Sequence, residues 1–244
     1  MTPPDLMTPP SISKSTTAIF GIILHDLMNS ISVTKTNLQF LQDNLDAGLD
    51  ERNQRMVDIA LWGSNELSCM LNDLSNLAKA KAGLLELPKQ SVSISEMFQR
   101  IEAKTQQRLE LEKKILHLKI PESDVVLFCS VALFERCLEI LVASAIYLSR
   151  DSHICLVAEA PIDGELPIKI SYKGMQIPTV LENQIFTEEG HITAYEMGYR
   201  IDKALGLVLV GSVMTAHNGK VQIKSAGDGG FFSVTLPIKN ASSA

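Results

Sequence analysis

The sequence predicts an α+β protein: a helical hairpin that pairs with a second copy as a four-helix bundle, followed by an α/β sandwich. Three observations carry this prediction. Apolar residues recur at alternating steps of three and four through two long stretches before residue 88. After Pro88 the pattern breaks into short stretches of strand-like and helix-like period. Glycine, proline and asparagine clusters separate those stretches.

Residues 1–15 read as a flexible leader, because Met1-Thr2-Pro3-Pro4 recurs as Met7-Thr8-Pro9-Pro10 and no basic start or apolar core marks a secretory signal. The hairpin is assigned to residues 16–88. Its first helix carries Leu24, Leu27, Ile31, the weaker Thr34, Leu38, Leu41 and Leu45 on one seam. Its second carries Met56, Ala60, Gly63, Leu67, Met70, Leu74 and Leu77; Lys81 breaks the rhythm, Leu84 resumes it, and Gly83 and Pro88 end it. Turn signals fill Asn44 to Asn53. A two-helix hairpin cannot bury such a seam alone, whereas two copies can, so the chain is expected to be a homodimer, with Met56 and Met70 in the core and Met28 partly exposed.

A domain boundary is placed near residue 90, and a second domain over 92–240. Ile115 to Ile120 alternates like a strand. Val131 to Leu148 reads as a helix with Leu133, Cys137, Ile140, Leu141, Ser144, Ala145 and Leu148 on one face. Ile154 to Ala158 and Ile168 to Tyr172 read as strands flanking a Pro161-Ile162-Asp163-Gly164 turn. A helix over 203–216 ends at His217-Asn218-Gly219, where Asn or Gly takes a left-handed cap. Lys220 to Ser225 and Phe231 to Ile238 form a closing hairpin around Gly227-Asp228-Gly229-Gly230.

The 244 residues are 45% hydrophobic and 20% charged, an ordinary globular balance. No apolar run approaches the roughly 20 residues of a membrane span. A net charge of -6 and a pI near 5.4 argue against nucleic-acid binding, which needs a basic face. Cys69, Cys129, Cys137 and Cys155 form no CxxC pair, so free buried thiols in a reducing cytoplasm are expected, with no metal site. His117, His153 and His191 show no evident partners, and His217 is read as a helix-end residue meeting the terminal carbonyls.

These parts resemble a sensor histidine kinase: a dimerisation and histidine-phosphotransfer hairpin followed by a GHKL-type ATP-binding domain. His25-Asp26-Leu27-Met28-Asn29 is similar to the family's H-box. Leu205-Gly206-Leu207 with Ala216-His217-Asn218-Gly219-Lys220-Val221 resembles its second glycine box and the elements after it, and Phe231 to Pro237 its closing strand. The departures fall where ATP would bind. Ile140 and Ser144 stand at the N-box asparagine positions, Tyr172 at the adenine-binding aspartate, Gln176 at the second glycine of the first glycine box, and Ala204 at the first glycine of the second box, beside the retained Gly206.

Isoleucine offers no oxygen to Mg²⁺, a tyrosine ring occupies adenine's place, and Gln176 puts a side chain where backbone should approach the ligand. Each lost hydrogen-bond partner costs on the order of 2–3 kcal/mol. The expectation is therefore a degenerate ATPase-like domain that has lost its nucleotide and needs no cofactor.

A histidine phosphotransferase needs little more than an oriented imidazole, because a response regulator's receiver domain brings the Mg²⁺ and the aspartyl phosphate. The resemblance implies that His25 carries phosphate on Nε2, that Asp26 holds or deprotonates Nδ1, and that Asn29, one turn on, orients the phosphoryl group or a hydrolytic water. Gly21, Ile22, Met28 and Ser32 would meet the receiver. The leading expectation is a phosphotransferase relaying phosphate between receiver aspartates. The alternatives are an ATP-dependent histidine kinase and a pseudo-kinase scaffold that transfers nothing. Tyr172 and Tyr147 are expected to fill the vacated pocket.

Overall fold

The computed structural model describes residues 27–28, 31–32, 34–41, 51–182, 184–199, 201 and 205–238. The chain divides into two compact units, Met1–Ala82 and Gly83–Ala244.

In the first unit the described residues from 27 to 41 are helical (α1), and a second helix, α2, runs Glu51–Lys81. The two stretches predicted from the period-3.5 pattern are thus both helical where described. They touch where Ser64 Oγ donates to the Ile31 carbonyl at 3.5 Å. Ser64, Leu71, Asp73 and Leu77 are buried. Other seam residues are not: Leu27, Leu41, Met56 and Leu67 are 47%, 45%, 59% and 51% exposed. Met56 therefore lies on the surface of the single chain, not in its core, because two helices cover only part of each other's apolar stripe. Lys79 and Lys81 occupy the last turn of α2, where their charge suits the negative end of the helix dipole.

The second unit runs β1 (Lys89–Ser93), α3 (Ile94–Leu111), β2 (Ile115–Lys119), β3 (Val126–Ser130), α4 (Val131–Leu148), β4 (Ser149–Ala158), β5 (Glu165–Gly174), α5 (Glu188–Glu196), α6 (Gly206–Ala216), β6 (Lys220–Ala226) and β7 (Gly229–Pro237). Five strands form one mixed sheet in the order β2-β4-β5-β7-β6, while β1 and β3 form a separate antiparallel pair. Only β2 and β4 run parallel. Alternate residues of β5 and β7, including Leu166, Ile168, Ile170, Phe232, Val234 and Leu236, are buried, as period two requires of a face under a helical layer. α4 lies in the middle of that layer, in contact with α3 and α6. This is the expected α/β sandwich.

Several bounds differ from the sequence reading. β4 and β5 are each ten residues long, extending past 154–158 and 168–172: β5 gains residues that pair with β7, and β4 reaches back to Ser149, opposite Gly174, across a register shift between Ser149 and Ile154. β2 stops at Lys119, one residue short of Ile120. The closing strand spans Gly229–Pro237, and α6 starts at Gly206. Four elements were not anticipated: β1, α3, β3 and α5. α3 was legible. Ser93 caps it by accepting from the Glu96 amide at 3.0 Å, and Ile94, Met97, Phe98, Ile101, Thr105 and Leu109 form its buried stripe. Lys104 of α3 then reaches Glu135 and Glu139 of α4, both at 2.9 Å. Partial burial pulls the Lys104 pKa down, but the bonds to Glu139 and Glu135 outweigh it and leave the ammonium held above its usual value.

Candidate functional site

The expected phosphate carrier His25, its neighbours Asp26 and Asn29, and Gly21, Ile22 and Ala204 lie outside the described residues. Beside them, Leu27 and Met28 are helical, Met28 is half-buried and Ser32 is exposed. The other positions that the resemblance singles out, Ile140, Ser144, Tyr172, Gln176 and Gly206, are among the described residues.

Ile140 and Ser144 lie one turn apart on α4, and both are buried. The Ser144 hydroxyl donates back along the helix to the Ile140 carbonyl at 2.9 Å. α4 buries most of its circumference, so these two side chains serve packing and local hydrogen bonding.

Tyr172, on β5, is 4% exposed. Its register partner on β7 is Gly230, where a Cβ would come 2.7 Å from the tyrosine oxygen. The missing side chain on one strand thus makes room for the ring on the other, which tilts against Phe232 with ring centroids 6.2 Å apart. Burial pushes the phenol up to about 12, and its oxygen has no hydrogen-bond partner among the described residues. Tyr147, expected to share this filling role, is instead 59% exposed on α4; its position falls on the one face of the helix that the sheet and neighbouring helices leave open.

At Gly174, two residues before Gln176, a Cβ would lie 2.3 Å from the Leu148 carbonyl oxygen, so close packing calls for glycine there. Gln176 is committed elsewhere, its Nε2 donating to the Gly227 carbonyl at 2.7 Å. Gly206 is buried at the head of α6. The residue before it, Leu205, takes φ +63 and supplies no side-chain cap.

The segment after β5 is latched to the free edge of β6. Ser225 Oγ accepts from the Ile177 amide at 3.0 Å and donates to the Ile177 carbonyl at 2.8 Å. Glu182 Oε1 accepts from the Ser225 amide at 3.0 Å. Farther along, Leu181, Ile185, Phe186, Ala194 and Ile201 are buried. Gly211 of α6 lets Phe186 approach, since a Cβ would lie 2.5 Å from its carbonyl oxygen. This latch was not visible in the sequence, because Ser225 and Glu182 are 43 residues apart and neither belongs to a motif.

His217 does meet a terminal carbonyl, as read from the sequence, and does more. One ring nitrogen lies 2.9 Å from the Val213 carbonyl, and Nε2 accepts from the Ser130 amide at 2.9 Å, so Nδ1 carries the proton and the ring is neutral. Burial lowers its pKa, opposed by the Val213 bond and reinforced by Lys89. Asn218 takes the left-handed cap at φ +55. A cavity of about 280 Å³ lies beside His217, lined also by Lys89, Leu127, Cys129 and Leu236; no nucleotide position faces it.

Two further expectations fail. His117 and His153 are partners of each other, because parallel pairing of β2 and β4 sets them on the same exposed face. Cys69 and Cys155 are half-buried rather than buried, and none of the four cysteines forms a disulfide. Burial pushes the Cys129 thiol up to about 11. Among the described residues no group of three His, Cys, Asp or Glu side chains is placed to hold a metal ion, and no helix is long and apolar enough to cross a membrane.

The sequence matches no protein-family model and no curated protein. Solved structures do match. Full-length ShkA in complex with AMPPNP is similar over 93% of this chain and 47% of that one, with 16% identity and a TM-score of 0.69. The Acinetobacter baumannii histidine kinase AdeS is similar over 88% of this chain and 98% of that one, at 21% identity and a TM-score of 0.59. Histidine kinase ThkA, solved in complex with the response regulator protein TrrA, is similar over 94% of this chain and 65% of that one, at 15% identity and a TM-score of 0.58. The fold is therefore histidine-kinase-like. The chain spans less than half the length of ShkA.

Proposed function

We propose that this chain is a two-component phosphorelay protein: a homodimeric, cytoplasmic histidine phosphotransferase that accepts phosphate on His25 from one receiver aspartate, passes it to another, and binds no ATP. The observation that supports this reading is that, on a histidine-kinase-like fold, the positions matched to the nucleotide motifs hold side chains committed to packing or to internal hydrogen bonds. Ile140 and Ser144 are buried in α4, Tyr172 is in the core, and Gln176 is bonded to the Gly227 carbonyl. The response regulator bound to ThkA supports a receiver as partner. The exposed seam residues Leu27, Leu41, Met56 and Leu67 support a second copy as the surface that covers them.

In the transfer, His25 Nε2 attacks the phosphorus of an aspartyl phosphate, the P–O bond to the carboxylate breaks, and the carboxylate leaves with the bond's electron pair. Asp26 holds the Nδ1 proton so that the Nε2 lone pair faces the phosphoryl group. The receiver contributes the Mg²⁺ that offsets charge on the phosphoryl oxygens. Met28 and Ser32, with Gly21 and Ile22, form the receiver-docking surface.

The test is incubation with labelled Mg-ATP beside His25→Ala and an active kinase, then with labelled phospho-receiver domains. The expected result is no label from ATP and acid-labile label on His25 from receivers. Label from ATP that vanishes in His25→Ala would establish a kinase instead. No label from either source would leave a scaffold.

A further inference from the structure

Away from the nucleotide positions, the described residues of the second unit include a pair of exposed imidazoles in mutual contact. His117 on β2 and His153 on β4 are both exposed. Parallel pairing sets His117 opposite Cys155 and Ile115 opposite His153, so the two imidazoles project from the same face, one step apart along adjacent strands. His117 Nε2 lies 2.7 Å from His153 Nδ1, and the rings stack at 5.0 Å between centroids, 24° apart. The Asp151 carboxylate, oriented mainly by the Ser152 amide, lies within electrostatic reach of His153.

We propose that His117 and His153 together form a binding site for a first-row divalent transition-metal ion of the zinc, copper or nickel kind. Imidazole nitrogens select these ions over magnesium or calcium, which require several oxygen ligands. Two nitrogens on one tetrahedral ion, at bond lengths of about 2.0–2.1 Å, stand about 3.3 Å apart. The present 2.7 Å opens to that spacing by a small rotation of two exposed side chains. In the metal-free pair one facing nitrogen donates and the other accepts. Coordination needs a lone pair on both, so the donor ring moves its proton to its other nitrogen and two N–metal bonds form without net loss of protons from the protein. Because the described residues offer no cluster of three ligating side chains, water completes the coordination. Binding is then of the open, exchangeable kind rather than that of a closed structural site. The site is remote in sequence from His25 and independent of phosphotransfer.

Isothermal titration of the full-length protein with zinc chloride in a non-chelating buffer, beside magnesium chloride, tests the assignment. One zinc per chain is expected, with no magnesium heat. His117→Ala or His153→Ala should weaken binding at least about tenfold, in keeping with the sensitivity of metal sites to loss of their shell, and His25→Ala should leave it unchanged. Histidine side-chain nitrogen NMR of the unmodified protein reads the same site without a variant: zinc should shift the His117 and His153 signals selectively. Absence of saturable zinc uptake, an affinity in both alanine variants unchanged from that of the unmodified protein, or shifts confined to other histidines would each overturn the proposal.

Discussion

At Tyr172 a single residue decides two questions together, since its phenol is buried without a partner and stands where the resemblance calls for a carboxylate. An unpartnered buried hydroxyl contributes little, so Tyr172→Phe is expected to leave unfolding free energy within about 1 kcal/mol of the original in urea titration. Tyr172→Asp restores the family's residue but buries an unpaired carboxyl beside Phe232; it should cost about 3 kcal/mol or more and restore no ATP binding. The second residue-scale prediction concerns pH. His217 is neutral and buried, with its pKa below the ordinary 6.5. Between the folded and unfolded values the unfolded chain binds the extra proton, so stability is fully present above about pH 6.5 and falls as pH drops through that window. Thermal melts from pH 7.5 to 5 should show this slope, and His217→Gln should flatten it. These residues were unequally legible. Tyr172 and Gln176 stood out as departures from a motif, while the second role of His217 depends on Ser130, 87 residues away.

At the level of elements, α4 was readable to its ends, because its apolar residues lie in one unbroken helical period capped by strand-forming sequence. β1, Lys-Gln-Ser-Val-Ser, was not: nothing in five mostly polar residues specifies a strand until β3 pairs with it. α5 lacks an apolar stripe, with only Gly190 and Ala194 buried; its signal is local, since Thr187 caps it by accepting from the Gly190 amide at 3.1 Å and Glu188 and Glu189 fill its first turn. The latch onto β6 belongs to this scale. Ser225→Ala removes both bonds to Ile177 and is expected to cost about 1–2 kcal/mol. Hydrogen exchange should quicken at the Ile177 and Ser225 amides while the β4–β5 ladder keeps its protection. Equal protection throughout would mean that burial of Leu181 and Ile185 alone holds the segment.

For the whole molecule, the sequence indicated a hairpin followed by a sandwich because the change from period 3.5 to short alternation is itself a statement about which faces meet a core. The phosphate-carrying residues were proposed from motif and order alone, and His25, Asp26 and Asn29 lie outside the described residues. The proposed bundle gives an expected mass: light scattering should return a dimer, and the paired change Met56→Lys with Leu67→Lys should return a monomer by placing charges on the exposed seam. A dimer that persists in the doubly charged variant would place the interface elsewhere. The latch also bears on what the proposed relay would respond to. A segment already ordered by the edge of its own sheet has no need of a nucleotide to order it. Phosphate flow through His25 would then track the ratio of charged donors to empty acceptors and stay insulated from the cell's ATP-to-ADP ratio.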